Sequence, residues 1–178
     1  PPRSTLFPYT TLFRSHVGLA FRGKGGKDIV CGRDDAPLAR ALTRLKTLPG
    51  KRLFQYRAED GPVAAINAAD INRYLKEAAG LPISSKDLRM LAANAAAAEL
   101  LLSTDIAASE RGRKRQLADI MRAIAERLVN TPAVVRKSYV HTIVVDAYAS
   151  GRLSRAYRKA RGRGGCSRIE RALGLLAA

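Results

Sequence analysis

The chain has 178 residues, enough for one domain with an ordinary buried core. Lys and Arg number 32 against 15 Asp and Glu, a formal net charge of +17 that favours a polyanionic partner, most simply nucleic acid. Ribosomal and membrane-surface roles are the bland alternatives. Cys31 and Cys166 stand far apart without CxxC spacing, which argues against zinc and fits a reduced compartment. No apolar run approaches the roughly 20 residues that span a bilayer, and no secretory signal is visible, so a cytoplasmic protein is expected.

Residues 1–15, PPRSTLFPYTTLFRS, have no initiator methionine and carry TLF twice between two Arg-Ser pairs. The segment resembles translated adapter sequence and is set aside as non-native, with a short genuine strand as the alternative. On the first reading the native protein is truncated at its N-terminus, and residues 16–178 are the native part.

From Val17 to Cys31, two β-prone runs flank Gly23-Lys24-Gly25-Gly26-Lys27, a hairpin signal. Glycine lets the backbone approach a ligand closely, and lysine brings a mobile charge and a proton donor. The loop is no Walker A motif, because GxxxxGK[ST] spacing is absent. An amphipathic helix is expected from Asp34 to Leu48, with Leu38, Ala41, Leu42 and Leu45 on one face and Pro49-Gly50 as its stop. Leu53 to Tyr56 reads as a short extended piece closing at Asp60-Gly61-Pro62. A second helix should open at Asn67 or Ala68 and run to Ala79, with Ile71, Tyr74 and Leu75 inward and Gly80 ending it.

Ser84 to Asp87 caps a helix expected from Lys86 to about Leu102. Arg89 lies in its second turn, and an arginine near the start of a buried helix calls for a partner. Residues 103–112 read as a loop, and a helix from Arg113 to Val129 should turn Leu117, Ile120, Ile124 and Leu128 inward. Thr131-Pro132 should start the helix that carries Tyr139 and continues to about Tyr148, Pro132 suiting its first turn. Beyond Ser150-Gly151 comes a basic tail with Arg152, Arg155, Arg158, Lys159, Arg161 and Arg163. A last apolar helix, Ile169 to Leu176, should dock back. The sum is an α+β chain, predominantly α-helical.

Asn130 to Tyr139 carries the chemistry. A phenol is a poor nucleophile at neutral pH, its ordinary pKa being about 10, and cations such as Arg136 and Lys137 favour its phenolate form. Tyr139 is therefore a candidate for covalent attack on a phosphodiester. His141, two residues on, faces elsewhere and reads as structural or a phosphate contact.

The glycine-lysine hairpin, Lys86-Asp87-Leu88-Arg89, and Asn130-Thr131-Pro132 with Tyr139 nine residues after Asn130 stand together in this order. So do FRGKGGK, LARALTRLKTLPGKRLFQY, DINRYLKEAAG, NTPAVVRKSYVH and AYASGRL. The whole resembles the catalytic domain of bacterial, poxvirus-like type IB DNA topoisomerases, over nearly all of residues 17–177. The resemblance implies the topoisomerase/tyrosine recombinase fold and a 3′-phosphotyrosyl intermediate on double-stranded DNA, formed by Tyr139. It implies that Arg89 stabilises the transition state, that Lys24 (or else Lys27) protonates the leaving 5′-oxygen, and that Asn130 donates to a phosphate oxygen. Arg22, Lys27, Lys86, Arg136 and Lys137 would contact DNA. It further implies a nucleoid-associated monomer that needs no metal or nucleotide cofactor. The family has another catalytic arginine upstream of the hairpin and an N-terminal domain, neither of which is in this sequence, and Met90-Leu91 replaces its usual threonine and aromatic. A tyrosine recombinase or integrase, or a non-catalytic DNA-binding module, are the competing readings; recombinases usually carry His-x-x-Arg where Lys86 to Arg89 stands, and histidine at Asn130.

Overall fold

A computed structural model describes residues 9–13, 15–23, 26, 28–50, 52–57, 61–161 and 165–178. Among these the chain is mostly helical, with two small antiparallel sheets, and divides into two compact units, residues 1–71 and 72–178.

The first unit begins with strands β1 (Tyr9–Phe13), β2 (His16–Arg22) and β3 (Asp28–Asp34), ordered β1-β2-β3. The expected hairpin is formed, with His16 opposite Asp34 and Arg22 opposite Asp28. Gly26, at a φ of 73°, donates its N–H to the Gly23 carbonyl at 3.2 Å, a turn that needs glycine's freedom. Lys24 and Lys27 lie outside the described residues. β1 falls in the segment read as non-native; its pairing is a main-chain ladder open to any β-prone run, so it says nothing of the segment's origin.

Helix α1 (Ala36–Leu45) starts at Asp35, whose carboxylate accepts the Leu38 N–H at 3.0 Å, with Pro37 in the first turn. Only part of the expected apolar face is covered: Leu42 is buried with Ala39 beside it and Leu45 is partly so, whereas Leu38 and Ala41 are exposed. Among the described residues the core cluster here is Val17, Ala39 and Leu42 with Leu19, Leu45 and Leu53 around them, and so small a cluster covers a narrow stripe of the helix. Strands β4 (Gln55–Arg57) and β5 (Val63–Ala65) form a second hairpin. The buried Gln55 amide donates to the Leu48 and Pro49 carbonyls at 3.2 and 3.1 Å and secures the turn after α1.

Helix α2 (Ala68–Ala79) has the expected bounds, Asn67 accepting the Ala69 and Asp70 N–H groups and Gly80 (φ 63°) ending it. Its expected inward face is not buried: Ile71 is 46% and Tyr74 68% exposed, and only Leu75 is partly covered.

The second unit packs α3 (Ser85–Leu102), α4 (Glu110–Leu128), α5 (Pro132–Ser138), α6 (Thr142–Ala149), α7 (Arg152–Lys159) and α8 (Arg168–Ala177) around one core. Ala93, Ala97 and Ala98 of α3 are almost fully buried, their small side chains sharing one core with Leu101 of the same helix and with Ile124, Val144, Leu153 and Ala172 of the other helices. Helix α4 starts three residues earlier than expected because Ser109 accepts the Gly112 N–H at 3.0 Å and caps it. The expected basic tail is corrected in part: Arg152, Arg155, Arg158 and Lys159 lie in α7, Arg161 follows that helix, and Arg163 lies outside the described residues. In α7, Leu153 and Ala156 are buried and their spacing gives one apolar stripe, while the cations occupy the remaining surface. Arg168 closes that helix, donating to the Tyr157 and Ala160 carbonyls at 2.9 and 3.0 Å with its guanidinium 4.2 Å from the Tyr157 ring centre.

Two capping boxes set an acid limit. The Ser84 hydroxyl and backbone N–H hold the Asp87 carboxyl below its ordinary range, and the Ser167 N–H and hydroxyl do the same for Glu170. A carboxyl lowered in the folded state stabilises above its unfolded pKa and loses that contribution as pH falls through the folded value. The melting temperature should therefore hold from pH 7 to about 5 and decline in more acid solution. In Asp87→Asn/Glu170→Gln the decline should be shallower; an unchanged decline would assign it to other groups.

Candidate functional site

Three residues of the second unit, Arg89, Asn130 and Tyr139, form one cluster joined through Arg89 and the Leu128 carbonyl, and each is placed by its own element. Arg89 sits in the second turn of α3, where burial has not yet begun, so the expectation of a buried arginine is corrected. Residues 85–89 are exposed and the packed alanines start at Ala93, which leaves the guanidinium hydrated and without the cost of burial. Its Nη2 donates to the Leu128 carbonyl at 3.2 Å, and its Cζ lies 5.2 Å from the centre of the Tyr139 ring. That is within cation–π range.

Asn130 follows the end of α4. Its Nδ2 donates to the same Leu128 carbonyl at 3.1 Å. The turn that brings it there has Val129 at φ 53° and ψ 47°, the left-handed region. Val129 donates to the Glu126 carbonyl at 3.1 Å and Asn130 to the Ala125 carbonyl at 2.8 Å, closing a Schellman turn. A β-branched residue is rarely found in this conformation, which costs on the order of 1–2 kcal/mol.

Tyr139 does not lie within one continuous helix. Thr131 caps α5 by accepting the Val134 N–H at 3.3 Å, with Pro132 in the first turn as expected. The fully buried Val135 then accepts both the Tyr139 and Val140 N–H groups at 3.0 Å, and α5 ends with Tyr139 at φ −125°. The break is held by Asn94 of α3, which the sequence did not single out. Its Nδ2 donates to the Tyr139 carbonyl at 2.9 Å and its Oδ1 accepts the His141 N–H at 2.8 Å. Nδ2 also donates to the Met90 carbonyl at 2.7 Å, so both N–H groups and the oxygen of this buried amide are bonded. His141 is exposed and caps α6, its Nδ1 accepting the Ile143 N–H at 3.2 Å, which agrees with the structural reading of that residue. A buried asparagine in an alanine-rich helix was the available signal for Asn94, since such an amide must be bonded.

Asn94→Ala should cost about 1–3 kcal/mol, because it strips the Tyr139 carbonyl and the His141 N–H of their partner. Urea unfolding measures this; a cost under about 0.5 kcal/mol would mean the break does not depend on Asn94.

Three further expected contact residues lie in the second unit. Lys86, Arg136 and Lys137 are exposed. Arg136 lines a groove of about 580 Å³ with Met121, Arg122, Val140 and Val145, and Tyr139 is not among its walls. Arg22, in the first unit, faces Asp28 across β2 and β3 at 3.6 Å. Among the described residues no three of His, Cys, Asp and Glu gather as metal ligands. No helix among them is long and apolar enough to cross a membrane.

The arrangement presents a phenol, a guanidinium and a carboxamide together, two of them as donors converging on one oxygen. Such donors suit an anionic oxygen. Comparison with known proteins adds a relationship of the type IB topoisomerase kind. The chain is 31% identical over 139 residues to DNA topoisomerase 1B of Acanthamoeba polyphaga mimivirus, a match covering 74% of this chain and 41% of that protein. The chain thus spans about two fifths of the length of this relative. No family model matches the sequence.

Proposed function

We propose that the chain carries the nucleophile-bearing part of a type IB DNA topoisomerase of the bacterial, poxvirus-like kind, acting on double-stranded DNA. The observation that carries this reading is the convergence of Arg89, Asn130 and Tyr139. The relationship to a viral DNA topoisomerase 1B supports it. The Tyr139 oxygen attacks a backbone phosphorus and displaces the 5′-oxygen, leaving a 3′-phosphotyrosyl link. The cut strand turns about its intact partner, and the 5′-hydroxyl then attacks the phosphotyrosine and restores the backbone. The phosphoester energy is retained in the covalent link, so the cycle consumes no nucleotide.

Arg89 and Asn130 donate to the non-bridging phosphate oxygens, where negative charge builds in the transition state. Aligned donors at that point lower the barrier without reorganisation. Lys24, with Lys27 as the alternative, protonates the leaving oxygen; this role rests on the hairpin resemblance alone. Arg22, Lys86, Arg136 and Lys137 supply sequence-independent contacts to phosphates, and the net charge of +17 favours association. The protein acts as a monomer at the nucleoid.

A recombinase is the neighbouring chemistry, but Lys86 stands where His-x-x-Arg would put histidine, and Asn130 stands where a second would be. The test is relaxation of supercoiled plasmid by the full-length gene product without ATP or magnesium. Distributions of relaxed topoisomers are expected. Strand exchange between paired sites would indicate a recombinase, and only salt-sensitive mobility shifts would indicate a binding module.

A further inference from the structure

We propose that the left-handed turn at Val129 is a positioning element: it holds the Leu128 carbonyl free as the single acceptor on which Arg89 and Asn130 converge. That these two donors then serve a phosphate rests on the topoisomerase reading; that the turn gathers them does not.

The last carbonyls of a helix have no partner within it. In α4 the Schellman turn deals with two of them, the Ala125 and Glu126 carbonyls, through the N–H groups of Val129 and Asn130. The Leu128 carbonyl is left out. Were the helix to continue, this oxygen would accept from residue 132, but that residue is Pro132, which has no N–H. The sequence therefore denies the Leu128 carbonyl a helical partner. The reversal of φ at Val129 folds Asn130 back to within 3.1 Å of the oxygen, and Arg89 reaches it from α3 at 3.2 Å, across 39 positions of sequence. A right-handed residue at 129 would carry Asn130 about 100° further round the α4 axis and part the two donors.

A valine in this conformation is worth noticing because glycine would adopt it without strain. The strained residue adjoins Asn130 and lies next to Leu128 in a cluster with the candidate nucleophile, where strain is commonly retained for geometry. Val129 touches no reacting atom on this account; it acts through Leu128 and Asn130.

The test uses the 178-residue chain, with nitrogen-15 NMR of the Asn130 side-chain amide and the Arg89 Nε–H alongside thermal melts. In Val129→Gly the left-handed turn becomes unstrained. Both signals should keep their positions, and the melting temperature should rise by about 2 °C or more. In Val129→Pro, φ is fixed near −65°. Both signals should then move to free, fast-exchanging values while the methyl signals of Ile124 and Val135 stay in place. A fall in melting temperature for Val129→Gly would put residue 129 in the right-handed region and overturn the proposal. Unmoved Asn130 and Arg89 signals in a folded Val129→Pro would do the same. Should Val129→Pro fail to fold, the sign of the Val129→Gly shift decides alone. These readouts need no DNA cleavage, so a chain that never cleaves would count against the topoisomerase reading and leave this one to the spectra.

Discussion

Arg89→Ala in the full-length protein is expected to slow strand cleavage by about 100- to 1000-fold, the usual cost of one transition-state donor. Its effect on the fold should be small. Arg89 is exposed in the second turn of α3, its bond to the Leu128 carbonyl is at the surface, and the packed part of the helix begins four residues later at Ala93. The cost should thus fall on the chemical step, with stability changed by no more than about 1 kcal/mol. Arg89→Lys should recover little, since an ammonium lacks the planar fork that spans two acceptors. Single-turnover cleavage at saturating DNA measures the loss. A variant that cleaves within about threefold of wild type would remove Arg89 from the site.

The larger loss is expected at Tyr139→Phe, which removes one oxygen atom. Among the described residues the Tyr139 hydroxyl has no hydrogen-bond partner; the residue is held by its backbone through Val135 and Asn94 and by its ring against Arg89. Phenylalanine keeps those contacts. Melting temperature and salt-sensitive DNA affinity should change little, whereas relaxation should cease altogether, because without the oxygen there is no nucleophile. Relaxation by Tyr139→Phe at the wild-type rate would show that the strand is cut elsewhere.

Sequence legibility followed how local each determinant is. The hairpin before α1, the caps at Ser84 and Thr131, Pro132 in its first turn and the stop at Gly80 depend on residues a few positions apart, and these formed as expected. The break after Tyr139 was illegible because Asn94, 45 positions away, imposes it; Val140 to Tyr148 otherwise reads as a good apolar continuation. The apolar faces of α1 and α2 are covered only in part for another reason. Periodicity shows which residues are apolar, and only tertiary packing decides which stripe is covered.

The site divides along the same line. Arg89, Asn130 and Tyr139 were picked out by residue type and order, and the structure brings all three together. Their common acceptor could not be foreseen. It is a main-chain carbonyl freed by a left-handed valine, a conformation that sequence rules assign to glycine or asparagine. Asn94 left a signal, a polar residue among alanines, but its partners lie on another element.

Covalent capture tests the central claim most directly. Full-length protein is incubated with a nicked duplex whose short 3′ fragment is lost on cleavage, then denatured, digested and analysed by mass spectrometry. A nucleotide joined through its 3′-phosphate to the peptide containing Tyr139 is the result the account predicts. A linkage to any other residue, or a 5′-phosphate linkage, would contradict it.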